Sequence, residues 1–126
     1  MKFRTPLSHA RGLGSAKEGT GHWWAQRLTA IALVPLMLWF AWSIIGLTSA
    51  DYATVHAWIA QPTNAGVLLI LIYAAFYHSM LGLQVIIEDY VHVRWMELML
   101  MILVRFASII LGVAAALAVV LIATGS

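Results

Sequence analysis

Long apolar runs alternate with short polar breaks along this chain. "WWAQRLTAIALVPLMLWFAWSIIGLT", "AGVLLILIYAAFYHSMLGLQVIIEDY" and "LMLMILVRFASIILGVAAALAVVLIA" are each nearly free of charge. A hydrocarbon core takes roughly 20 residues of helix to cross, so the runs predict transmembrane helices over about 23–48, 65–90 and 98–123. They are continuous rather than alternating, which disfavours a β-barrel. The fold class is therefore all-α: an integral membrane protein with three transmembrane helices, here called the membrane-anchor domain of residues 23–126.

The breaks carry their own signals. In "SADYATVHAWIAQPTN", Tyr52, Val55 and Ile59 recur at helical spacing and Trp58 suits the headgroup zone, so a short interfacial helix is expected, with Pro62 restarting the chain. Pro35 falls mid-span in the first helix and predicts a bend there. After Ser108 the third span turns rich in small residues, which predicts close packing against protein on one face. The first 22 residues are basic, glycine-containing and without apolar periodicity; they read as a tail ahead of a membrane anchor rather than as a secretory leader.

Composition agrees with the pattern, since 63% hydrophobic and 10% charged residues make the chain too apolar for a small soluble globule. Charge adds an orientation. The tail holds Lys2, Arg4, Arg11 and Lys17, and the second connection holds Arg94, whereas residues 49–64 contain no Lys or Arg. The positive-inside rule then puts the N-terminus and second connection on the cytoplasmic side of a bacterial inner membrane, or on the matrix side of a mitochondrial one. There are no cysteines, so neither a disulfide nor a thiolate-held iron–sulfur cluster can form. No G-x-G-x-x-G or P-loop pattern occurs either. Any chemistry is intramembrane or supplied by partners.

Candidate chemistry concentrates in "YHSMLGLQVIIEDYVH". His78 is an ionisable group in the middle of a span, where an unpaired imidazole is costly and a partner is expected. At 100° per residue His78, Gly82, Val85 and Asp89 fall within about 40° of one line. That face presents an imidazole, then the gap at Gly82, then a carboxylate near the interface. The gap would let a flat macrocycle lie beside an axial histidine, which makes haem b one candidate. A bond from His78 to a neighbouring helix and a proton relay are the others. His22 and His92 sit at interfaces, so a second axial histidine would have to come from another subunit. Arg27, one turn into the first span, suits a carboxylate or propionate, or simply snorkels to the interface, and Arg105 has the same two readings. Asp89 and Tyr90 offer a carboxylate and a phenol, the groups that quinone reduction needs, although such residues also serve as ordinary interface anchors.

Taken together, "HSMLGLQVIIEDY" resembles the second helix of the smaller hydrophobic anchor subunits of succinate dehydrogenase, respiratory complex II. That family has a haem-ligating histidine followed eleven and twelve residues later by aspartate and tyrosine, and "QRLTAI" matches its early arginine. The resemblance covers the first two spans. It implies a heteromeric helix bundle in which this chain and a larger cytochrome b anchor subunit share one haem b, alongside an iron–sulfur subunit and an FAD-carrying flavoprotein subunit that oxidises succinate. It implies His78 as an axial ligand of the haem iron, Arg27 on a propionate, and Tyr90 with Asp89 at ubiquinone. The chain alone would not oxidise succinate. Glu88 leaves open which carboxylate faces the quinone. Rival readings are an anchor of a quinol:fumarate reductase and a cofactor-free membrane assembly protein.

Overall fold

The computed structural model describes residues 16–125, whose regular structure is entirely helical. Helix α1 runs over Ala16–Leu47, α2 over Tyr52–Ala60, α3 over Pro62–Tyr90 and α4 over Arg94–Ala123. Three helical segments are long and apolar enough to cross a membrane: Thr20–Leu47, Pro62–Tyr90 and Arg94–Ala123.

All three spans begin before the expected bounds, while their ends at Leu47, Tyr90 and Ala123 fall within one residue of those expected, and the reason for the earlier starts is physical. Hydropathy marks only the part of a helix that must lie in hydrocarbon, whereas backbone hydrogen bonding continues the helix into the polar zone. Thus α4 begins at Arg94, where Arg94 and Glu97 form an i,i+3 ion pair at 3.5 Å in its first turn. The connection from α3 is thereby cut to Val91, His92 and Val93. Likewise α1 already starts at Ala16, so residues 16–22 are helical instead of part of a tail; residues 1–15 lie outside the described residues. α1 is continuous through Pro35.

The expected interfacial helix is α2. Asp51 caps it, with its Oδ1 accepting from the Thr54 backbone amide at 2.9 Å. At its other end Asn64 Nδ2 donates to the Trp58 carbonyl at 2.9 Å and to Gln61 Oε1 at 3.1 Å, closing the corner into α3. Pro62 occupies the first turn of α3, where its missing N–H is no loss.

α3 is the central element, packed against both α1 and α4, while α2 rests on α3 and α4. Its buried side chains Ala65, Leu68, Leu71, Ala74, Leu81 and Ile87 run nearly its whole length. Ala65, Leu68 and Leu71 join Val119 of α4 in one apolar cluster, covered by Leu33, Leu36 and Trp39 of α1 and by Trp58 of α2. Trp39 and Trp58 stack with ring centroids 5.5 Å apart. At the middle of the α3–α4 contact, Phe76 lies against Gly112; a Cβ at Gly112 would stand 3.5 Å from the Phe76 ring. This is the small-residue packing expected of the third span. Elsewhere the surface is apolar: Ile31, Leu38, Trp42 and Ile110 are all well exposed, as suits lipid or other membrane subunits.

Hydrogen bonding from the Thr54 side chain, and then from its amide, holds the Asp51 carboxyl below its ordinary value of 3.8. A carboxyl lowered on folding stabilises the cap above its unfolded pKa and stops doing so as pH falls through the folded one. Amide exchange at Thr54 is therefore expected to accelerate on acidification below about 3.8, corrected for intrinsic rates. Asp51→Ala should show the acid behaviour already at neutral pH.

Candidate functional site

The site is built where α1 and α3 cross. Thr29 of α1 bonds back to its own helix: its Oγ1 lies 2.7 Å from the Ala25 carbonyl and 3.1 Å from that of Gln26. The same oxygen stands 3.1 Å from His78 Nδ1 on α3. A threonine hydroxyl has a single hydrogen, and the shorter contact assigns it to the Ala25 carbonyl. The imidazole must then be the donor in the inter-helix bond, with Nδ1–H pointing at Thr29 Oγ1. In the neutral ring the lone pair consequently resides on Nε2. Among the described residues Nε2 has no hydrogen-bond partner, and it is not sealed inside the chain. An imidazole with one nitrogen tied to a neighbour and the other free is the arrangement in which histidine binds a metal, the tied nitrogen fixing tautomer and ring orientation.

His78 thus has the helix–helix bond that was one of its readings, and that bond leaves Nε2 available for another. Thr29 had no assigned part in the sequence reading. The signal was present in "QRLTAI", a polar residue on the neighbouring span able to meet His78, but it takes the α1–α3 register to see it.

Gly82, one turn beyond His78, does not open onto empty space within the chain. A Cβ there would lie 3.7 Å from Gln26 Nε2. The room read from the sequence is bordered by a side-chain amide of α1, because that helix crosses α3 here. Still, 3.7 Å is ordinary van der Waals distance, so α1 itself does not require a glycine. The Gln26 Oε1 atom is buried without a partner.

Arg27 is not brought to His78. Two residues from Thr29, it sits about 200° around α1, exposed, with its guanidinium carbon 5.0 Å from the centre of the Trp23 ring. Asp89 and Tyr90 end α3, and both are exposed, Tyr90 to 78%. Glu88 is exposed as well, but it accepts from Gln84 Nε2 at 3.2 Å and lines a recess bounded by α1, α3 and α4. The two neighbouring carboxylates therefore part company. Glu88 is engaged with groups of its own chain, whereas Asp89 and Tyr90 stand on the outer rim, free to meet a second body. Among the described residues no cluster of three or more His, Cys, Asp or Glu side chains could hold a metal. His78 stands as a single donor.

Against known proteins, residues 1–124 match the family model described as succinate dehydrogenase/fumarate reductase transmembrane subunit. The chain is 38% identical over 117 residues to a succinate dehydrogenase hydrophobic membrane anchor subunit of Rickettsia bellii, covering 93% of this chain and 94% of the other. A protein of that name from Paracoccus denitrificans is 33% identical over 93 residues, covering 71% and 70%. A succinate dehydrogenase membrane anchor subunit of Reclinomonas americana is 32% identical over 96 residues, covering 74% and 80%. No solved structure matches the chain significantly. The class is that of helical membrane subunits with three spans, and the chain belongs to the succinate dehydrogenase/fumarate reductase transmembrane subunit family.

Replacing Thr29 by Val removes the acceptor of the α1–α3 bond, so the variant is expected to lose about 0.5–1.5 kcal/mol of stability in a membrane-mimetic unfolding equilibrium. Thr29→Ser, which keeps the hydroxyl, should lose less.

Proposed function

We propose that this chain is the smaller membrane-anchor subunit of a succinate dehydrogenase, and that it supplies one half of a haem b site and one edge of a quinone site. The observation that carries the reading is His78: a half-buried, mid-span imidazole with Nδ1 held by Thr29 and Nε2 left as a free donor. A haem shared by two chains asks one such donor of each, so the residues present fit the group. When bound, haem b supplies a one-electron redox centre.

In this reading His78 would hold the haem iron through Nε2, and Thr29 would keep its tautomer and ring plane. Arg27, with no acidic partner in an ion pair among the described residues, offers its guanidinium to a propionate. Gly82 keeps the cofactor face free of a side chain, which α1 alone does not require. The second histidine belongs to a larger cytochrome b anchor subunit, whose helices would cover part of the apolar surface of α1 and α3.

Tyr90 and Asp89 act on ubiquinone at the end of α3. Reduction to quinol takes up two electrons and two protons. The Tyr90 hydroxyl donates a hydrogen bond to a quinone carbonyl oxygen, placing the head group and favouring the negative charge that develops there. Asp89 takes protons from the aqueous side and passes them toward the head group. Glu88, tied to Gln84, is set aside from this task. The electrons come from succinate oxidised in a flavoprotein subunit and pass through an iron–sulfur subunit docked at this end of the bundle. Exposure of Asp89 and Tyr90 suits a site completed by a partner. The basic N-terminal segment and Arg94 support a cytoplasmic position for this end in a bacterial inner membrane.

Two measurements on the purified complex test the reading. His78→Ala should abolish or strongly alter the b-type absorption spectrum while the hydrophilic subunits still oxidise succinate with a soluble acceptor; an unchanged spectrum would remove His78 as ligand. Tyr90→Phe should lower quinone reduction about ten- to a hundredfold, the worth of one hydrogen bond to a developing oxyanion, with the soluble-acceptor rate unchanged.

A further inference from the structure

The recess that holds Glu88 takes no part in the haem or quinone chemistry above. It has a volume of about 680 Å³ and opens between the start of α1, the last turns of α3 and the first half of α4. His22, Tyr77, Gln84, Glu88 and Arg105 supply its polar lining.

Its charges are unsettled. Arg105 lies eleven residues into α4, about 16 Å along the helix, inside a membrane-spanning segment. A guanidinium at that depth is costly without an anion. Yet it makes no ion pair with Glu88, which lines the same recess, and the ion pair among the described residues joins Arg94 to Glu97 instead. The His22 Nε2 atom has no hydrogen-bond partner among the described residues, but it is closed off from the open space. One cation and one anion thus share the recess without neutralising one another.

The recess also continues into hydrocarbon. A second, largely apolar groove of about 300 Å³ runs between α3 and α4, lined by Leu69, Ile72, Phe76 and Gly112, and it shares Tyr77 and Met80 with the recess. From the middle of the membrane outward, the order is an apolar groove, the Arg105 cation, then the Glu88 carboxylate two residues before the end of α3. A phospholipid with a primary ammonium in its headgroup has its parts in the same order: acyl chain, phosphate, ammonium.

We propose that this groove and recess form a binding site for one phospholipid of the phosphatidylethanolamine type. Arg105 holds the phosphate, Glu88 accepts from the ammonium, and an acyl chain fills the groove beside Phe76 and Gly112. An anionic lipid without an amine leaves Glu88 unmatched. A choline headgroup presents no N–H to it. The lipid closes the open side between α1 and α4, which meet α3 but have little contact with each other.

The test uses the assembled native complex in nanodiscs containing equal parts of phosphatidylethanolamine, phosphatidylglycerol and phosphatidylcholine, with retained lipid read by native mass spectrometry. The wild type is expected to keep a phosphatidylethanolamine on this subunit. Arg105→Gln should lose it, and Arg105→Lys should keep it in part, which separates a lost ligand from a lost fold; the intact mass in the same spectra reports assembly. Glu88→Gln should still keep a phospholipid, but its preference for phosphatidylethanolamine over phosphatidylglycerol should fall about tenfold, the worth of a charge-assisted hydrogen bond. Equal retention by wild type and Arg105→Gln would overturn the proposal. So would retention without headgroup preference in the wild type, or displacement of the lipid by soluble glycerophosphoethanolamine, which would mark a small-anion site instead.

Discussion

The hydrogen bond from His78 to Thr29 is the contact on which the site of this protein depends. In hydrocarbon no water completes a polar group, so each one must find its partner in protein. Thr29 spends its only hydrogen on its own helix and is left as a pure acceptor. That asymmetry makes the imidazole a donor through Nδ1, sets the register in which α1 crosses α3, and turns Nε2 away from the bond. Helix packing and the state of the imidazole are thus tied to the same pair of atoms. Without the bond, α1 would meet α3 mainly through apolar side chains, which give weak preference for one rotation of a helix over another.

Around that crossing, α3 divides its polar groups between different surroundings. His78 is half-buried against α1, Glu88 is exposed but bonded to Gln84 at the edge of the recess, and Asp89 with Tyr90 stands exposed at the helix end. Adjacent residues of a helix differ by about 100° in direction, and this alone gives Glu88 and Asp89 unlike environments. The exposed apolar surface belongs to the same logic. A bundle whose core is a single strip along α3 leaves much apolar surface for lipid or other membrane subunits, and the chain's membership in a family of transmembrane subunits gives that surface its context.

Much of this was legible in the sequence. Three spans follow from run length, the interfacial helix from spacing in the first connection, and the small-residue packing of α4 from its composition. The family was legible too, because His78, Asp89 and Tyr90 keep a fixed spacing and Arg27 sits in a short matching run. What the sequence could not show depends on register between helices. Thr29 as partner of His78, Gln26 beside Gly82, and the separation of Arg27 from His78 all need to know which face of α1 meets α3. Helix starts were misjudged for a related reason, since hydropathy registers solvent and the helix obeys its own hydrogen bonds. Hence Arg94 and Glu97, which look like loop residues, begin α4.

The short turn between α3 and α4 has a mechanical corollary. Val91, His92 and Val93 bridge two helices that pack side by side. Four Cα steps reach at most about 14 Å, while packed helices lie some 8–10 Å apart. Little slack is left over. Asp89 and Tyr90 therefore cannot swing as residues of a loop would; any displacement of theirs drags α4 along as a hairpin. Their preorganisation is written into chain length rather than into contacts. A molecule arriving at this rim meets a surface whose backbone has already lost its conformational entropy.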